Sequence, residues 1–143
     1  MKGFRYINHT ADVHSQSWGR TLEEAFSQSA LSLMAVITPN LKKISSSIQK
    51  TLKIKAEDKE ALLFDFLSEF LFIFDVEELV FKEIKVDYIK KINDFYELKA
   101  FLLGEVFNKK KHEIGTEVKA ITYSFISIDE SEDRVIIDIV FDI

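Results

Sequence analysis

The sequence contains no cysteine, a single proline and only four glycines among its 143 residues. The absence of cysteine excludes a disulfide framework, a cysteine nucleophile and a metal site built from thiolates. The low glycine and proline content indicates short connections between secondary-structure elements. The first residues, MKGFRYINHTAD, contain no apolar segment of a secretory signal. No apolar run approaches the ~20 residues that a transmembrane helix needs. We therefore expect a cytoplasmic protein without membrane association.

The overall composition is that of a folded protein. Hydrophobic residues make up 47% and aromatic residues 13%, with thirteen phenylalanines. This content is typical of globular chains, and the length predicts one domain over residues 1–143. The net charge of −5 argues against a protein that holds nucleic acid through its overall electrostatic field. Any connection with RNA is therefore expected to run through a protein partner.

The most apolar stretch is KEALLFDFLSEFLFIFD, from Lys59 to Asp75. Most of its apolar residues recur at the i, i+3, i+4 and i+7 spacing of one helix face. Phe64 and Phe72 lie outside this stripe and extend the apolar surface around the helix. We therefore predict a central helix that is buried on two sides by strands.

A second helix is predicted from Thr21 to Ile37. Thr21 and Glu24 have the spacing of a capping box, in which a hydroxyl and a carboxylate each accept a hydrogen bond from a free backbone N–H. The sequence Thr38-Pro39-Asn40 ends the helix. One face is apolar and consists of Leu22, Ala25, Phe26, Ala30, Leu33, Met34 and Ile37.

The remaining apolar segments are short and rich in residues that favour strands. The predicted strands are Phe4–Ile7, Val13–Trp18, Leu52–Ala56, Val80–Val86, Phe95–Leu103, Glu117–Ile128 and Arg134–Phe141. Gly104 is predicted to end the fifth strand, and the acidic turn Asp129–Asp133 joins the last two into a hairpin. This order of elements predicts an α+β fold with mainly antiparallel sheet.

Few residues form a recognised catalytic pattern. His9 and His14 are five residues apart, which is not the His-x-x-x-His spacing of a helical zinc site. The sequence contains no Gly-x-Ser-x-Gly elbow, P-loop or Gly-x-Gly-x-x-Gly motif. The basic segment Asn108–Ile114 contains Lys109, Lys110, Lys111 and His112. Three consecutive lysines form either a binding patch or a solvated loop, and we favour the solvated loop.

Two acidic positions could bind a cation. Asp12 lies in a polar segment beside a strand, and Asp142 is the penultimate residue. The α-carboxylate of Ile143 adds oxygen donors, which Ca²⁺ and Mg²⁺ prefer. The alternatives are a turn-capping role for Asp12 and a frayed acidic terminus. Sequence spacing alone does not bring Asp12 to Asp142.

An ordered set of motifs resembles the archease family. The motifs are HTAD at 9–12, Gly19 with TLEEAF at 21–26, AEDKEALLFDFLSEFLFIFD at 56–75, Gly104-Glu105, EVKAITY at 117–123 and the ending Asp142-Ile143. Each is weak alone, but the set runs nearly end to end in the family's order. Two positions depart from the pattern, because Asn108 stands where aspartate is common and Ser124 where histidine is common.

The resemblance implies a fold, a partner and a metal site. The implied fold is a three-layer sandwich with two helices held between mainly antiparallel sheets. The implied function is that of a non-enzymatic cofactor of an RtcB-type RNA ligase, promoting ligase guanylylation and multiple turnover in tRNA splicing. The implied metal, calcium, would be bound by Asp12, Asp142 and Ile143.

Other interpretations of the sequence remain open. The family has also been associated with a chaperone-like modulation of tRNA methylation. A metal-dependent hydrolase could use the same carboxylates, and a general chaperone would need a large exposed apolar patch. His9, Glu105 and Lys119 are second-rank functional candidates, and Glu105 and Lys119 could equally form structural ion pairs.

Overall fold

The structure, a computed structural model, describes residues 1–7 and 12–143. Its strands and helices alternate in short groups along the chain. They are β1 (Gly3–Ile7), β2 (Asp12–Gly19), α1 (Leu22–Ile37), β3 (Ile48–Ala56), α2 (Lys59–Glu77), β4 (Leu79–Ile92), β5 (Phe95–Val106), β6 (Ala120–Glu130) and β7 (Val135–Asp142). A 3₁₀ turn at Leu41–Lys43 lies in the connection between α1 and β3.

The strands form two antiparallel sheets with the helices between them. One sheet has the order β1-β2-β7-β6 and the other has the order β3-β5-β4. Helix α1 contacts β2 of the first sheet and β4 of the second, while α2 contacts β6 and β3. The predicted α+β class, with two helices between antiparallel sheets, is confirmed. Within the described ranges, each helix is too short or too polar to cross a membrane.

Both helix starts are capped by side chains. The Thr21 hydroxyl accepts a hydrogen bond from the Glu24 N–H at 3.1 Å, as the capping box predicts. The Glu24 carboxylate accepts a hydrogen bond from the N–H of Arg20 at 2.8 Å, whereas the capping box predicts the N–H of Thr21 as the donor. The Asp58 carboxylate caps α2 by accepting from the N–H of Ala61 at 2.7 Å.

Helix α2 forms the centre of the core. Phe66 and Phe70 are fully buried, and Phe70 also makes an edge-to-face contact with Phe81 of β4. We expected Phe72 to contribute to the second buried side of α2, and this is wrong, because Phe72 is 58% exposed. Phe72 lies seven residues after Asp65 and four before Val76, both of which are also exposed. These spacings place the three residues on one face of the helix, so α2 keeps a solvent-facing stripe.

The second sheet differs from the sequence prediction in the length of its strands. Gly104 does not end β5, which continues to Val106, and β4 extends beyond Val86 to Ile92. The extension of β4 was not predicted because Asp87, Lys90 and Lys91 interrupt the alternation of apolar and polar residues that marks a half-buried strand. In the first sheet, β6 begins at Ala120 rather than at Glu117.

Gly104 lies inside β5 because the neighbouring β4 backbone comes very close. A Cβ atom at Gly104 would lie 1.9 Å from the Val80 carbonyl oxygen and 2.8 Å from the Phe81 Cα. We predict that Gly104→Ala lowers the free energy of unfolding by about 3 kcal/mol, because backbone atoms have to move to relieve the overlap. Urea denaturation measures the change.

Gly3→Ala is the matched control. A Cβ at Gly3 would lie 2.8 Å from Cζ2 of the Trp18 ring, which is a half-buried side chain and can shift. We expect a clearly smaller loss of stability for this variant. Equal unfolding midpoints for Gly104→Ala and the unmodified protein would contradict the close approach of β4.

Candidate functional site

The first sheet brings Asp12 and Asp142 together. Strands β2 and β7 pair in antiparallel register from Gly19 opposite Val135 to Asp12 opposite Asp142. Residues directly opposite each other have Cβ atoms about 5 Å apart and point to the same face of the sheet. Two carboxylates that are distant in the sequence therefore lie side by side at one end of the ladder.

The backbone around this acidic pair is fixed by β6. The N–H of Lys119 donates to the carbonyl oxygen of Asp142 at 2.7 Å, and Ala120 is the register partner of Asp142 on β6. Ile143, the next residue, is half-buried against the core. The Lys119 side chain is exposed, and Lys119 contacts Asp142 through its backbone N–H. His9 lies outside the described residues.

The two carboxylates repel each other, because like charges directly opposite in a sheet are destabilising. Within the described ranges, no lysine, arginine or histidine forms an ion pair with Asp12 or Asp142. That part of the chain also contains no group of three or more His, Asp or Glu side chains that could hold a metal. The side chains of Asp12 and Asp142 supply hard oxygen donors, the kind that Ca²⁺ prefers.

Strand β6 leaves its regular pairing just beyond the acidic pair. Thr122 pairs with Val140 and Ser127 with Asp138, so four residues of β6 span a distance that β7 covers with one. Phe125 has a φ of 56°, which is a strained conformation for a bulky residue, and is 67% exposed. Its ring stacks on the His14 ring with 5.8 Å between centroids.

Tyr123 belongs to the same irregular segment. Its ring is stacked on Phe64 of α2, with centroids 4.4 Å apart and an interplanar angle of 6°. Burial and the nearby carboxylates of Asp65, Asp58 and Glu57 raise the pKa of the Tyr123 hydroxyl. This irregularity could not be predicted, because the apolar and polar residues of the segment alternate like those of an ordinary strand.

His14 is held by another carboxylate. Its Nε2 lies 2.9 Å from Oδ1 of Asp138, and the same oxygen accepts from the Gln16 amide at 3.2 Å. Asp138 is directly opposite Gln16 in the register. The structure therefore places His14 in a side-chain network on the sheet and two residues along β2 from Asp12.

Glu105 lies in the other sheet and outside the acidic pair. Its carboxylate accepts from Lys111 Nζ at 2.7 Å, from His112 Nε2 at 2.7 Å, and from the N–H and hydroxyl of Ser45 at 2.8 and 2.9 Å. These hydrogen bonds lower the Glu105 pKa to about 2. The hydrogen bond from Lys111 has the largest effect, and those from Ser45 and His112 lower the pKa further. Glu105 thus connects β5 with Ser45, two residues after the 3₁₀ turn, and with the basic segment.

The same contacts fix the basic segment. The backbone N–H of Asn108 donates to Nδ1 of His112 at 2.9 Å, so Nδ1 is the acceptor and Nε2 carries the hydrogen that Glu105 accepts. The His112 ring is buried and stacks on Phe107. Lys111 is bound by Glu105, whereas Lys109 and Lys110 are exposed, which agrees with the solvated-loop interpretation for those two.

Comparison with known proteins assigns the family. A sequence model described as "Archease protein family (MTH1598/TM1083)" matches residues 4–143. The protein archease of Methanosarcina barkeri is 40% identical over 142 residues, covering 96% of this chain and 97% of the relative. This chain belongs to the archease family.

Solved structures agree with the assignment. Protein 1598 of Methanobacterium thermoautotrophicum, determined in solution, has 30% identity and a TM-score of 0.84, with full coverage of both chains. The crystal structure of an archease from Thermotoga maritima, described as a possible chaperone, has 22% identity and a TM-score of 0.59. It covers 96% of this chain and 94% of that one, and shows a shared fold.

The two departures from the archease pattern have structural explanations. The Asn108 side chain accepts from the N–H of Lys110 at 3.0 Å, as an aspartate can in the same turn. Ser124 is exposed in the irregular part of β6, and its N–H donates to the Thr122 hydroxyl at 3.2 Å. Neither residue belongs to the acidic pair.

The Glu105 network predicts an acid-dependent stability. Folding lowers the Glu105 pKa from 4.5 to about 2, so the ionised carboxylate stabilises the protein above pH 4.5. This contribution is lost as the pH falls toward 2. We predict that Glu105→Gln destabilises the protein at neutral pH and that its difference from the unmodified protein shrinks below pH 4.5. Urea denaturation at several pH values measures this, and a constant difference across the range would contradict it.

Proposed function

We propose that this archease is a non-enzymatic cofactor of an RtcB-type RNA ligase, and that its acidic pair forms a divalent-metal site. One observation carries the metal site, namely the register that sets Asp12 opposite Asp142. Among the residues that the structure describes, no cation is paired with these two carboxylates, and like charges directly opposite each other are unfavourable for the fold alone. A bound cation would remove this repulsion, so a binding role accounts for the arrangement better than stability does.

The donors fit calcium. Asp12, Asp142 and the carboxylate of Ile143 would hold the ion, with backbone carbonyls and water completing the six to eight oxygens that Ca²⁺ takes. Calcium bound at this end would supply positive charge where a nucleotide phosphate of the ligase comes close. The residues of this chain would position that charge, since β2, β6 and β7 hold both carboxylates on one face.

The partner is inferred from the family, and the surface next to the acidic pair is suited to contact a protein. The exposed Phe125 lies on β6 beside the end of the ladder where Asp12 and Asp142 face each other. Exposed aromatic residues next to charged groups are typical of protein interfaces. We infer that the acidic pair and this part of β6 face the ligase together and that RNA is reached only through the ligase.

Calcium should stabilise the protein through the acidic pair. At a calcium concentration about tenfold above the dissociation constant, we expect about 1.4 kcal/mol of stabilisation, which raises the melting temperature by roughly 5 °C. Asp142→Asn should remove this response. Without calcium, the same variant should be more stable than the unmodified protein by a few tenths of a kcal/mol, because the repulsion is gone.

Asp133→Asn is the control for this measurement, because it removes an exposed carboxylate from the turn between β6 and β7. It should keep the full calcium response. A calcium response that survives in Asp142→Asn would contradict the proposed site.

The partner is tested with the cognate ligase at a limiting amount. We predict that this protein accelerates guanylylation of the ligase and joining of tRNA halves. Asp12→Asn and Asp142→Asn should reduce both rates to those of the ligase alone, while Asp133→Asn should retain the acceleration. Acceleration that persists in both variants would contradict the role of the acidic pair, and no acceleration by the unmodified protein would contradict the ligase as partner.

A chaperone role is the second candidate. The relative from Thermotoga maritima is described as a possible chaperone, and this chain exposes large apolar side chains on several elements. They include Phe72 and Val76 on the solvent-facing stripe of α2. Suppression of the aggregation of an unfolded client, and its loss in Phe72→Ser/Val76→Ser, would favour this role over ligase activation.

A further inference from the structure

The outer face of the first sheet carries a groove at the end opposite to the acidic pair. Along β2, Ser15 and Ser17 point toward the helices and are buried, so Gln16 and Trp18 point outward. An open groove of about 370 Å³ runs over this face. It is lined by Arg5, Gln16, Trp18, Arg134 and Ile136.

Trp18 forms the apolar floor of the groove. It is the single tryptophan of the chain, and its register partners are Gly3 on β1 and Ile136 on β7. Because Gly3 has no side chain, the indole ring lies over the β1 backbone, with Cζ2 2.8 Å from the place of a Cβ atom. The half-buried ring is therefore held against the sheet as part of a flat surface.

Two arginines flank this floor. Arg5 is opposite Gln16, and Arg134 directly precedes the pair of Val135 with Gly19. Arg5 is two residues from Gly3, and Arg134 is two residues from Ile136. The two arginines therefore lie on opposite sides of the Trp18 row, each about 7 Å from it along the strand direction. Both side chains are long enough to reach a ligand that covers the indole ring.

The arginines are available to a ligand. The Nε of Arg5 donates to Gln16 at 2.8 Å, and Gln16 donates in turn to Asp138, so the Arg5 guanidinium is oriented by the sheet. Within residues 1–7 and 12–143, no carboxylate forms an ion pair with Arg5 or Arg134. The chain has only three arginines, and two of them line this groove.

We propose that the groove binds a nucleotide, with the base stacked on Trp18, the phosphate bound by Arg134 on one side of the indole ring, and Arg5 on the other side of the base. Guanidinium groups match the oxygens of a phosphate through paired hydrogen bonds, and a tryptophan face stacks on any base. The groove is separate from the acidic pair, and this proposal does not depend on the ligase.

The charge around the groove limits the ligand. Four carboxylates precede Arg134: Asp129 and Glu130 end β6, where Asp129 is opposite Ile136, and Glu132 and Asp133 lie in the turn. Glu130 is bound by Lys59 at 2.6 Å. These charges would repel the further phosphates of a nucleic-acid strand. A single nucleotide therefore fits better than a strand that continues past the turn.

The single tryptophan reports on the site directly. Titration of the unmodified protein with AMP should quench the Trp18 fluorescence in a saturable way, after correction with free tryptophan titrated in parallel. Adenosine should bind at least about fivefold more weakly, because it lacks the phosphate. Arg134→Gln should weaken AMP binding by about five- to tenfold without affecting folding, since Arg134 is exposed.

Arg20→Gln is the matched control, because Arg20 lies next to Gly19 at the same end of the sheet but does not line the groove. It should bind AMP as the unmodified protein does. A short oligoadenylate that binds no more tightly than AMP identifies the free nucleotide as the ligand, and tighter binding identifies an RNA strand in the same groove. Absence of saturable quenching, equal affinity for adenosine and AMP, or equal losses in Arg134→Gln and Arg20→Gln would overturn the proposal.

Discussion

The pairing of β2 with β7 is the constraint on which the other features depend. It joins a strand near the start of the chain to its last strand through eight register pairs. The inward side chains of this ladder, such as Ser15 and Ile139, are fully buried. Ser15 is hydrogen-bonded at 2.6 Å to Ser32 of α1, so small side chains let the helix approach β2 closely. The same register sets the acidic pair at one end of the ladder and the Trp18 row toward the other.

Features encoded by neighbouring residues could be predicted from the sequence. The Thr21 cap and the helical spacing of Phe66 and Phe70 each depend on residues within a turn or two. Gly104 was misinterpreted because a glycine is as compatible with a strand end as with a close approach between strands. Only the position of the β4 backbone distinguishes the two, and that position is not local.

The candidate site depends even more on contacts between residues that are distant in the sequence. Asp12 and Asp142 could each be named from their types and from the resemblance to archeases, but no sequence spacing predicts that they are opposite each other. The break in β6 and the left-handed backbone of Phe125 were not predictable either, since an aromatic residue disfavours that conformation. Opposed carboxylates and a strained aromatic residue both go against local preferences and lie at the same end of the sheet. Such conflicts are expected where a surface is kept for binding.

The central claim is that Asp12 and Asp142 bind one cation together. Carboxyl-carbon NMR of the isotopically labelled protein, followed during a calcium titration, tests it most directly because each aspartate is observed separately. We expect the side-chain carboxyl signals of Asp12 and Asp142 to shift together and to saturate at the same calcium concentration, while those of Asp129 and Asp133 stay in place. Unchanged signals for Asp12 and Asp142, or shifts confined to Asp129 and Asp133, would contradict the account.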